Sequence, residues 1–194
     1  MLAASEPDDP ERVAGGDERA GEAPDVDGLA IEAGDQALLA VPSMRNPLEL
    51  LPDHAFDNLL VATVRSPAKI ERHVDRRGLD PQRVGVVPLS NADNEYEGPL
   101  WTSRRLSPTD LTGISIECSR GGQYLRRGEG WFVLDNIHTL LMYSDDRRVY
   151  QLLDSLRASM GQREIRGCYA VVRATVGTEY QRYRTLFDVE IDRT

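Results

Sequence analysis

Five short apolar runs, separated by segments with helical character, constrain the fold of this chain more than any other feature. They are Gln36 to Val41, Asn58 to Val64, Arg83 to Pro88, Trp131 to Asp135 and Arg166 to Arg173. Each is shorter than a stable helix, and the first is bounded by Gly34 and Pro42, so each reads as a buried strand. Helices are expected between them. Ser66-Pro67 places a capping serine before a proline at the first helical position. Ile70 and Val74 then face inward, and Gly78 closes the turn. Ser107-Pro108-Thr109-Asp110 starts a second helix with Leu111, Ile114, Ser115, Cys118 and Leu125 on its inner face. Ser144-Asp145-Asp146 caps a third, in which Val149, Leu152, Leu153, Leu156 and Met160 form one stripe at 3.6-residue spacing. Gly177 to Arg184 is a short polar stretch compatible with a helix. Phe187 to Ile191 alternates as an edge strand does. Residues 90–106 read as irregular. The alternation predicts an α/β fold of three layers, with a mostly parallel sheet and helices on both faces.

Residues 1–30 hold nine acidic and two basic residues and no aromatic one. Such a segment cannot bury enough apolar surface to offset chain entropy, so it is expected to be a disordered acidic tail, with residues 31–194 as a single domain. The whole chain carries a net charge of −9, which argues against nucleic-acid binding through phosphate neutralisation. One lysine, Lys69, stands against 22 arginines. Acidic surplus with so little lysine suits a salt-rich cytoplasm and a GC-rich genome, and points to a halophilic archaeon. Four basic clusters, at Arg104-Arg105, Arg126-Arg127, Arg147-Arg148 and Arg163 with Arg166, are expected on solvated helix faces.

Cys118 and Cys168 lie far apart in apolar surroundings and read as buried, reduced thiols. His54, His73 and His138 show no metal-ligand spacing. No apolar run approaches the roughly 20 residues of a membrane helix, and the N-terminus has no apolar signal core. A cytoplasmic protein without a membrane partner is expected.

Ligands of parallel α/β sheets bind at the carboxyl ends of the strands. Those ends carry Pro42-Ser43-Met44-Arg45, Arg65-Ser66, Ser90-Asn91, Asp135-Asn136 and Arg173-Ala174-Thr175. No Gly-x-Gly-x-x-Gly occurs, so a dinucleotide site is unsupported.

Three stretches carry a family resemblance: the Ser-Pro helix leading to Arg77-Gly78-Leu79-Asp80-Pro81-Gln82-Arg83-Val84, the run from Leu111 to Glu117 leading into Gly130 to Leu141, and Tyr143-Ser144-Asp145-Asp146. In order and spacing they resemble the RecA/KaiC-like P-loop ATPases, and more closely the haloarchaeal KaiC/GvpD-type proteins, over residues 35–192. The resemblance implies a RecA-like fold with Asp135 in the place of the carboxylate that helps to hold Mg²⁺. It also implies a phosphate loop after the first strand, whose backbone N–H groups and lysine cradle the nucleotide phosphates. The chain departs there. It reads Pro42-Ser43-Met44-Arg45-Asn46-Pro47-Leu48-Glu49, without glycine or lysine and with two prolines that lack an N–H. After the second strand, where the family often carries water-activating glutamates, the chain reads Thr63-Val64-Arg65-Ser66.

The resemblance with these departures implies a degenerate phosphate loop and a non-catalytic pseudo-ATPase module. It would act through a protein partner or as a homo-oligomer in signalling or gene regulation, with no catalytic residue, cofactor or metal. A second reading keeps ATP and Mg²⁺ binding without hydrolysis, through Ser43, Arg45, Asp135 and Asn136, with Asp135 as the metal ligand. A third is an unrelated α/β enzyme using Asp135 and His138. Asp135 also has a structural reading, as a strand-end carboxylate hydrogen-bonded to loop backbone.

Overall fold

Burial on both faces explains why these strands are continuous apolar runs rather than alternating ones. The computed structural model describes residues 29–43, 45–90 and 96–194. Among these residues seven strands pair in one sheet: β1 (Gln36–Ala40), β2 (Leu59–Thr63), β3 (Val84–Pro88), β4 (Trp101–Thr102), β5 (Trp131–Leu134), β6 (Arg166–Val171) and β7 (Val189–Asp192). Their order across the sheet is β4-β3-β2-β5-β6-β1-β7, and every pairing is parallel. Among the described residues six α-helices accompany them: α1 (Pro67–Arg76), α2 (Leu111–Gly122), α3 (Ile137–Tyr143), α4 (Asp146–Gln162), α5 (Arg173–Val176) and α6 (Tyr180–Arg184).

Successive strand residues point to opposite faces. On one face Leu38, Leu60, Phe132, Leu134 and Tyr169 pack with residues of α2, α3, α4 and α6. On the other, Leu39, Val61, Val86, Trp131 and Val133 pack with Ile70 and Val74 of α1 and with Leu48, Leu51 and Phe56. Both faces are thus covered. The approach of α2 to the sheet is close: a Cβ on Gly121 would meet a Leu60 methyl at 2.8 Å, so a larger residue there would displace the Leu60 side chain.

Several sequence expectations meet the structure directly. Pro67 begins α1, Ile70 and Val74 are buried, and Gly78 beyond its end has φ +69°, where a Cβ would be strained. The α4 stripe from Val149 to Met160 is buried throughout. β7 is an edge strand. Cys118 and Cys168 are free and buried.

Others are refined. The expected tail lies outside the described residues as far as residue 28, but Leu29 is already buried in the α1-side core. The second helix begins at Leu111 rather than after Ser107, because the Asp110 side chain accepts from Gly113 N–H at 2.8 Å. The irregular stretch contains the two-residue strand β4. α3 had no counterpart in the sequence reading. The described residues between β1 and β2 hold two 3-10 turns, Pro47–Leu50 and Asp53–Asn58, and no α-helix.

Candidate site at the carboxyl edge of the sheet

β2 and β5 lie side by side at the centre of the sheet, and their chain continuations run in opposite directions, toward β3 on one side and β6 on the other. Such a switch point is where parallel sheets open a crevice. Asp135 follows β5 there, and its N–H donates to the Ala62 carbonyl at 2.9 Å, extending the ladder by one residue. Its side chain is 5% exposed.

Two donors from the exit of β2 converge on one carboxylate oxygen of Asp135. The Thr63 hydroxyl donates to Oδ2 at 2.5 Å, and Arg65 Nε donates to the same atom at 3.0 Å. Arg65 N–H in turn donates to the Thr63 hydroxyl at 3.0 Å. Asp135 therefore faces side chains rather than loop backbone. A buried carboxylate needs such partners, because an unpaired charge away from water is strongly unfavourable.

A second buried carboxylate repeats the arrangement. Glu117 on α2 has a side chain 4% exposed and accepts from Arg104 Nε at 3.1 Å and from Arg120 Nη1 at 3.2 Å. The sequence reading passed over Glu117. The available signal was its place one residue before Cys118 and three after Ile114, on the inward stripe of α2.

The other expected site residues are arranged differently. Asn136 caps α3, its Oδ1 accepting from His138 N–H at 2.9 Å. Ser43 and Arg45 are exposed on the turn after β1, and β6 separates β1 from β5. In that turn Arg45 N–H donates to the Pro42 carbonyl at 3.3 Å. Leu48 N–H is capped by the Asn46 side chain at 3.2 Å, and Glu49 N–H donates to the Asn46 carbonyl at 3.1 Å. Pro42 and Pro47 have no N–H to offer. The structure thus joins Asp135 with Thr63 and Arg65, not with Ser43 or Arg45.

A cavity of about 480 Å³ opens beside this point, over the ends of β2, β3 and β4 and the start of α1. Arg65, Lys69, Arg104 and Arg105 line it. The Arg104-Arg105 cluster is therefore on a cavity wall, not on a helix face. Burial pushes the thiols of Cys118 and Cys168 up to about 12, so neither supplies a thiolate at neutral pH. Among the described residues no group of three His, Cys, Asp or Glu side chains is placed to hold a metal ion. No helix among them is long and apolar enough to cross a membrane.

A family model, that of a family of unknown function, DUF7504, matches residues 45–192. The chain belongs to DUF7504. No curated protein matches this DUF7504 chain. Among solved structures it is similar to the KaiC-like protein PH0186 of the hyperthermophilic archaeon Pyrococcus horikoshii. The TM-score is 0.56 at 11% identity, over 82% of this chain and 72% of that one. At that identity the likeness concerns the fold, which is RecA/KaiC-like, as the order of its sequence elements implied.

Proposed function

We propose that this DUF7504 chain is a pseudo-ATPase: a RecA/KaiC-like module that neither hydrolyses ATP nor relies on a metal, and that acts through protein partners in signalling or gene regulation. The single observation that carries the reading is the closure of Asp135 by Thr63 and Arg65. A carboxylate in that position would need to meet Mg²⁺, and here a guanidinium bonds it. The same guanidinium follows β2, where a water-activating base would stand, and Arg65 has no lone pair with which to accept a proton.

The turn after β1 supports the reading independently. A phosphate cradle needs free N–H groups in a glycine-rich loop leading into a helix N-terminus. Here two of the positions are proline, three N–H groups are engaged within the turn, and a four-residue 3-10 turn stands where the helix would begin. These residues do not fit a nucleotide triphosphate with its metal. A scaffold with its sheet and helices in place and no such cradle is suited to presenting surfaces to partners.

Steady-state ATP turnover by the full chain, with Asp135→Ala as the control, tests the proposal. The expected result is no release of phosphate above background for either protein. Turnover that disappears in Asp135→Ala would overturn it.

A further inference from the structure

We propose that the cavity over the ends of β2, β3 and β4 is a binding site for a small phosphate-bearing molecule. This goes beyond the loss of hydrolysis at Asp135 and does not depend on it. Its volume of about 480 Å³ falls within the roughly 300–1,000 Å³ of small-molecule sites.

Charge is the first argument. Among the described residues four cationic side chains line the cavity and no carboxylate does, although the chain as a whole carries a net −9. Lys69, the only lysine of the chain, is exposed at this wall and makes no ion pair among the described residues. Arg105 has a partner of its own within the protein.

Two of the arginines are held from behind. Arg65 is bonded to Asp135 and Arg104 to Glu117, both through Nε and both to carboxylates buried beneath the cavity wall. The Nε contact leaves both terminal nitrogens of Arg65 for another acceptor, whereas Arg104, whose Nη2 also lies 3.8 Å from Asp110 Oδ2, keeps Nη1. A guanidinium oriented in advance also loses less freedom when it binds an oxyanion. The ion pairs at Asp135 and Glu117 thus position the donors without filling the cavity.

Backbone polarity is the third argument. The cavity abuts the start of α1, where Ser66 occupies the cap position but its side chain makes no capping bond. Pro67 has no N–H, so the first-turn N–H of Ala68 and the Ser66 hydroxyl remain for an incoming acceptor. A helix N-terminus favours an anion. Ser103 also lines the cavity, but its hydroxyl donates to the Arg104 carbonyl at 2.8 Å. Planar forks, an ammonium, the Ser66 hydroxyl and a helix start converging from separate strand ends match a compact oxyanion with several acceptors better than an extended acidic peptide.

Calorimetric titration of the full chain with inorganic pyrophosphate tests this, with Lys69→Glu and Arg45→Glu alongside. Lys69 is exposed on α1 and its replacement leaves the core intact. Saturable binding is expected, weakened about tenfold or more by Lys69→Glu and unchanged by Arg45→Glu. Absence of binding at millimolar pyrophosphate would overturn the proposal. So would binding sensitive to Arg45→Glu but not to Lys69→Glu, which would move the anion to the turn after β1. Tighter, Lys69-dependent binding of polyglutamate would replace the phosphate ligand by an acidic peptide and overturn it equally. ATP turnover is read separately, so a failure here leaves the pseudo-ATPase reading standing and the converse also holds.

Discussion

Two turns leave the same edge of the sheet, one after β1 and one after β2, and they differ in everything that matters for binding an anion. The turn after β1 engages its own N–H groups, contains two prolines and exposes Ser43 and Arg45. The turn after β2 carries Thr63, Arg65 and Ser66 into a ten-residue helix, reaches across to a buried carboxylate, and borders a cavity with a lysine on its wall. In a fold whose resemblance leads one to look for phosphates beside β1, the donors have gathered beside β2. A scaffold can keep its strand order while the polar groups on its edge are redistributed, because strand order depends on core packing and the edge does not.

The largest effect that can test this contrast is at the ion pair. Arg65→Leu leaves Asp135 buried with only the Thr63 hydroxyl. It should lower unfolding free energy by about 1–3 kcal/mol, reduced from a fully buried case because Arg65 is partly exposed. Adding Asp135→Asn should recover part of the loss, so chemical denaturation of the double-mutant cycle gives a coupling energy. A single mutant as stable as the parent would show that the pair contributes nothing.

A smaller loss is expected at the turn after β1. Asn46→Ala removes the side chain that accepts from Leu48 N–H and should cost about 1 kcal/mol. Equal loss of pyrophosphate binding in that variant would erase the distinction between the turns.

The helix after β2 offers a pH test. His73 on α1 is buried, and desolvation together with the Arg77 charge lowers its pKa below 6.5. Well above pH 6.5 the imidazole is neutral in both folded and unfolded chains and has no effect on pH dependence. Below it the unfolded chain binds the proton first, so stability falls as pH drops from 6.5 toward the folded-state value. His73→Phe should flatten that part of the curve relative to the parent. An unchanged slope would mean that the histidine is protonated equally in both states. The least effect belongs to Arg45→Ala, exposed and without a core contact, which should change stability by less than about 0.5 kcal/mol.

The sheet was legible because strands covered on both faces are apolar without interruption, as Leu59 to Ala62 and Trp131 to Leu134 are. β4 was not, since two residues paired at an edge create no pattern. α3 was hidden by its length: only Ile137 and Leu140 of its seven residues are buried. Asp135 stood out from its position after a strand. Its partner did not, because Arg65 is 70 residues away and only the β2–β5 pairing brings them together. The reading of Arg65 as a missing base was a statement about absence, and the structure gives the residue a positive role. Glu117 was invisible for a related reason. A buried glutamate is written in sequence like an exposed one, and what neutralises it, Arg104, comes from a loop whose path periodicity does not predict.

The position of β1 has a kinetic consequence. It is wholly buried between β6 and β7, so its neighbours are residues 166–171 and 189–192, made last by the ribosome among the strands. β2, α1 and β3 can close as a local unit early, whereas Ala37, Leu38 and Leu39 must remain unpaired until β6 and β7 have been made. Long-range parallel pairing of this kind is slow. Refolding of the full chain should therefore end with the seating of β1, and that step is where a chaperone or a competing chain would intervene.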